Sequence, residues 1–159
     1  CSPQLDYAAI SIEVVKTLEV ELIEILDSYR RFIGECYPEP DTEDFASKAL
    51  LAFLQGGKPP TLGAISYLFR KPKNPDDPLL SSLHQYLATL PNAEFLTSNR
   101  FAKKGLQRVG HKYRNGGAHD SPIDMATCME GVKLIVGSIE DPGFLARVVS
   151  GRNGEQQGG

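Results

Sequence analysis

Residues 15–32, VKTLEVELIEILDSYRRF, decide the fold class. Val15, Leu18, Leu22, Ile25, Tyr29 and Phe32 recur at intervals of three or four, the spacing that lines side chains along one face of an α-helix. No proline lies between Pro3 and Pro38, and Gly34 with Pro38-Glu39-Pro40 marks the stop. A second proline-free stretch runs from Pro91 to Pro122, and most of the other prolines crowd between the two. Long helices therefore flank a broken middle section.

That middle reads as three shorter helices. Asp41 or Thr42 is expected to cap one that carries Phe45, Ala49, Leu50 and Phe53 and ends at Gly56-Gly57. Thr61 caps the next, through Leu62, Ile65 and Phe69. A loop with the turn sequence Asn74-Pro75-Asp76-Asp77 leads to the third, on Leu79, Leu83, Tyr86, Leu87 and Leu90. Beyond Pro91, a helix from about Asn99 presents Phe101, Gly105, Val109 and Tyr113 to the core. Ser121-Pro122-Ile123-Asp124 has the order N-cap, N1 proline, acidic N3 that starts a further helix. Its expected face is Met125, Cys128, Met129, Val132, Ile135, Val136 and Ile139. After the Asp141-Pro142-Gly143 turn comes a short end on Phe144, Leu145, Val148 and Val149. No run alternates convincingly as a strand. The sequence predicts an all-α bundle of about five to seven helices with a short C-terminal helix. It forms one domain over residues 1–150, with the polar tail 151–159 expected to be disordered.

With 159 residues, 41% of them hydrophobic, the chain has material for one core. No segment approaches the eighteen apolar residues of a membrane span. Cys1-Ser2-Pro3-Gln4 does not read as a signal peptide, and the missing initiator Met suggests a processed chain or a piece of a longer one. Cys1, Cys36 and Cys128 lack CxxC spacing, which fits a reducing, cytoplasmic compartment. His84, His111 and His119 sit in no metal-cluster pattern, so neither metal nor cofactor is expected.

Charge is unevenly placed. The first 44 residues hold eleven acids against three bases, whereas residues 95–119 hold no acid and six bases. Arg100, Lys104, Arg108 and Lys112 stand four apart, so on a helix they form one ridge leading to Arg114. Such a ridge suits a polyanion, or pairs with the acidic first helix; both can hold at once. Gly105 and Gly110 each weaken that helix by about 1 kcal/mol relative to Ala. Something should approach the backbone there, either a packed helix or nucleic acid.

The ridge ends in RNGGAH, Arg114 to His119. A guanidinium grips phosphate oxygens through its planar fork, and an imidazole with a free pKa near 6.5 exchanges protons close to neutrality. The bland reading is a helix end: Arg114 against the carboxyl-terminal dipole, Gly116-Gly117 as the left-handed cap, His119 in the loop.

Taken together, the motif, its Ser-capped following helix and the all-helical pattern resemble a HEPN domain (higher eukaryotes and prokaryotes nucleotide-binding). That family carries an Arg, a polar residue directly after it, and a His a few residues on; Arg114, Asn115 and His119 stand in those places here, with four residues between the Arg and the His. The resemblance spans most of residues 5–149. It implies a homodimer with two motifs near its interface, RNA as substrate or a nucleotide as ligand, and metal-independent cleavage to 2′,3′-cyclic phosphate and 5′-hydroxyl ends. Antiviral effectors, toxins and RNA-processing enzymes are among its members. Catalysis would fall to Arg114, His119 and Asn115, and RNA binding to Arg100, Lys104, Arg108 and Lys112. The chain departs from nucleotidyltransferase-paired toxins, having Pro122 where they carry a Tyr. The competing reading is a non-catalytic helical module of a larger protein that dimerises or binds nucleotide or RNA.

Overall fold

The computed structural model describes residues 6–40, 44–72, 76–114 and 122–157, with side chains described as far as residue 151. Among them every regular element is helical: α1 Ala8–Ile33, α2 Phe45–Leu54, α3 Leu62–Phe69, α4 Pro78–Leu87, the single turn α5 Ala93–Leu96, α6 over residues 99–114, α7 Met125–Ile135 and α8 Gly143–Gln157. The all-α bundle is as the periodicity requires. No described helix is long and apolar enough to cross a membrane.

The first helix is the axis of the bundle. Val15, Leu18, Leu22, Leu26 and Tyr29 are fully buried, each large side chain contributing roughly 1.5–3 kcal/mol. Against them pack α4, α7, α8 and the second half of α6. Phe32, expected on this stripe, is 65% exposed and has a ring contact with Tyr86 at 5.2 Å.

Helix α6 is not a plain α-helix. Two π segments, Asn99–Gly105 and Val109–Arg114, flank the α turn Leu106–Arg108. The Leu106 N–H reaches the Phe101 carbonyl, five residues back. This width answers a geometric problem in the sequence. Four residues overshoot one α turn by about 40°, so three steps from Phe101 to Tyr113 would drift about 120° off the core. Wider π turns absorb the drift, and Phe101, Gly105, Val109 and Tyr113 are all buried. Side chains from neighbouring helices take up two of its carbonyls: the Ser66 hydroxyl donates to Ala102 O at 2.5 Å, and the Ser11 hydroxyl to Tyr113 O at 2.7 Å. The second bond satisfies an orphan carbonyl at the helix end.

Several local expectations shift. Thr61 caps α3, its hydroxyl oxygen accepting from Ala64 N at 3.2 Å. Asp77 caps α4 through bonds from Leu79 N and Leu80 N. The N-cap of α2 is Asp44, while Asp41 and Thr42 lie outside the described residues. Helix α7 begins later than Ser121-Pro122 suggested, because Asp124 accepts from Thr127 N at 2.7 Å and takes the cap itself. Residues 122–124 are drawn instead to the start of α1, where Tyr7 N donates to Ile123 O and Ile123 N to Asp6 Oδ1. The buried side of α7 is Cys128, Gly131 and Ile135; Met125, Met129, Val136 and Ile139 are exposed, the last beyond the helix end. Helix α8 continues through Gln157, past residue 150 where the sequence reading ends the ordered domain. Gly151 there abuts the Asn92 side chain, whose amide donates to the carbonyls of Arg147 and Val148.

Candidate functional site

Arg114 ends α6, and its guanidinium meets Glu19 of α1 at 3.0 Å. Burial raises the Glu19 pKa, and the Arg114 charge opposes that rise. The pair stands at a cleft of about 500 Å³ between α1, α3 and α6. From α6 the cleft receives Gln107, Gly110, His111 and Arg114; from α3 and its flanks come Thr61, Gly63, Ser66, Tyr67 and Arg70.

Arg70 is locked in place. Its guanidinium stacks over the Tyr67 ring at 4.3 Å, and Nη2 donates to the Ser66 hydroxyl at 2.9 Å. That hydroxyl in turn donates to Ala102 of α6, so a relay ties Arg70 to the π segment. The Arg70 Nε is buried without a hydrogen-bond partner among the described residues, a group whose desolvation is uncompensated within the protein. Among the described residues, two guanidiniums against the Glu19 carboxylate leave the lining cationic.

The four expected RNA-binding residues fall on another side of α6. Arg100, Lys104 and Arg108 border a separate depression of about 440 Å³ with Leu134 and Phe144. The structure thus brings these three together but not with Arg114. Arg108 and Lys112 both bind Glu130 of α7, Lys112 at 2.8 Å. The Lys112 hydrogen bond holds the Glu130 carboxyl below its ordinary pKa. Arg100 stands 3.9 Å from Asp141. Acids facing the ridge come from α7 and the turn after it, and from the acidic first helix Glu19 meets Arg114. Lys103 and Lys104 are exposed and have no ion-pair partner among the described residues. Asn115 and His119 lie outside the described residues.

Sequence reading missed Arg70, Tyr67, Gly63 and His111 as neighbours of Arg114. Arg70 is 44 positions away, and only the packing of α3 on α6 unites them. Gly110 was the available signal, a glycine inside a helix. Among the described residues no group of three or more His, Cys, Asp or Glu could hold a metal ion.

The chain matches no family model, no curated protein and no solved structure.

Proposed function

We propose that the protein is a metal-independent endoribonuclease acting on RNA at the mouth of the Arg114 cleft. One observation carries the reading: the guanidinium that opens the Arg114-to-His119 motif is oriented by a half-buried carboxylate, beside a cationic cleft. Arg114 binds the scissile phosphate and stabilises the charge that builds on its oxygens. Glu19 orients that guanidinium. His119 takes the proton of the ribose 2′-hydroxyl as its oxygen attacks phosphorus, or gives one to the 5′-oxygen as the P–O5′ bond breaks. A second subunit's His119 supplies the other role. Asn115 hydrogen-bonds the phosphate or holds the imidazole. Lys104, Arg108, Lys112 and Arg100 carry the adjoining phosphates across the outer face of α6, giving affinity that falls with salt. The family resemblance rests on RNGGAH, and a homodimer is part of the same reading.

The test is cleavage of single-stranded RNA in EDTA, with the product ends identified. Wild type should yield 2′,3′-cyclic phosphate and 5′-hydroxyl ends. Arg114→Ala and His119→Ala should each lower the rate about 10²–10⁴-fold. Equal cleavage by all three proteins, or cleavage by none, removes the catalytic assignment.

The non-catalytic module has its own support. Met125 and Met129 on α7 and Val136 just after its end are 47–60% exposed, an apolar row suited to a packing partner.

A further inference from the structure

The four glycines of α3, α6 and α7 divide into two kinds. A Cβ on Gly105 would sit 2.8 Å from the Phe144 ring and 2.8 Å from the Arg100 carbonyl. One on Gly131 would sit 2.8 Å from the Tyr113 ring. Those two are glycine because helices pack through them. Gly63 and Gly110 differ: their nearest contacts would be Thr61 Oγ1 and a Leu62 methyl, both at an ordinary 3.9 Å. Neither has a positive φ. Neither packing nor backbone conformation calls for glycine, and Gly110, inside α6, weakens its helix by about 1 kcal/mol relative to Ala. Both line the Arg114 cleft, on facing helices.

The same cleft holds an aromatic ring with room to act. Tyr67 is 58% exposed, and stacked Arg70 fixes its orientation at 4.3 Å. Bare backbone, cationic lining and a held aromatic face match the chemistry of a nucleotide: phosphate, sugar close to the wall, and a base that stacks. The Glu19 carboxylate, which an anion would avoid, is engaged by Arg114.

We infer that this cleft is a subsite for one unstacked nucleotide of a single-stranded RNA, its base on Tyr67 and its sugar-phosphate against Gly63 and Gly110. The inference rests on the proposed RNA site at Arg114 and specifies what reaches it: a strand with a base free to leave its stack. Duplex RNA, whose bases stay stacked, does not fill the cleft.

The experiment is binding of a fluorescein-labelled, single-stranded 2′-O-methyl oligoribonucleotide, which lacks the free 2′-hydroxyl needed for cleavage. Thermal unfolding is recorded on the same proteins. Tyr67→Ala should weaken binding about tenfold, and Tyr67→Phe, which keeps the ring, should restore it. Gly63→Ala and Gly110→Ala should also weaken binding, roughly tenfold, while their melting temperatures hold or rise. Affinities within twofold of wild type for Tyr67→Ala and both glycine variants overturn the inference. So does a matched duplex binding as tightly as the single strand, or free adenosine 5′-monophosphate competing as well as the oligomer. Cleavage in EDTA without any dependence on these residues discards the subsite and leaves the nuclease standing. Cleft-dependent binding without cleavage does the reverse.

Discussion

Gly105 and Gly110 sit five residues apart on one helix, with the same intrinsic cost and opposite surroundings. At Gly105 the bundle closes: Phe144 of α8 presses where a side chain would be, and Phe95 and Phe101 stack beside it. At Gly110 a side chain would meet the neighbouring helix only at an ordinary 3.9 Å, and the cleft with Arg114 opens beside it. A glycine inside a helix signals close approach, but the sequence does not say what approaches. In one case the structure answers with protein, and in the other it leaves space.

The contrast breaks most visibly under substitution. Gly105→Ala should lower stability by about 1–2 kcal/mol, because the overpacking penalty exceeds the helix-propensity gain. In a chain of this size that is a fall in Tm of roughly 3 °C per kcal/mol, read by calorimetry. Gly110→Ala should go the other way, by up to about 1 kcal/mol. Equal effects of both substitutions would erase the distinction.

A smaller effect concerns the cleft's electrostatics. Burial raises the Glu19 pKa in the folded state, so folding favours its protonated form. That contribution is fully present below the ordinary glutamate pKa and is lost as pH rises through the higher folded value. Wild type should therefore lose stability relative to Glu19→Gln as pH climbs through the window just above 4.5. His84 gives a contrasting slope from the packed side. Burial lowers its pKa, against the backbone carbonyls of Leu68 and Arg70, so its contribution is present above 6.5 and lost as pH falls toward the folded value. Melting curves of wild type, Glu19→Gln and His84→Gln across pH 4–8 should separate the two slopes; parallel curves would contradict both.

Much of this was legible in the chain. The α1 stripe, the Thr61 cap and the Phe101–Gly105–Val109–Tyr113 face are local patterns, and local patterns survive folding. Even the π segments are written there, since a strict four-residue repeat held over three steps does not fit 3.6 residues per turn. Other features needed the third dimension. Asp124 takes the cap of α7, three residues past Ser121, and residues 6 and 7 hold the segment just before it. Met125 and Met129 satisfy helical periodicity yet face outward, because which face of α7 is buried depends on Tyr113 seated against Gly131. Arg100, Lys104 and Arg108 share a ridge with one another but turn away from Arg114, since the widened helix places them on the α7 side. Of the proposed site, Arg114 could be read from its motif, whereas Arg70 and Tyr67 join it only through the docking of α3.

The central claim is one of location, that RNA meets this molecule at the α1–α3–α6 cleft. Ultraviolet crosslinking of single-stranded RNA to the protein, with the modified peptides mapped by mass spectrometry, measures that directly. Crosslinks should concentrate at Tyr67 and on residues 106–114, and Arg114→Ala should deplete them. Crosslinks confined to the exposed row of Met125, Met129 and Val136, indifferent to Arg114, would contradict the account.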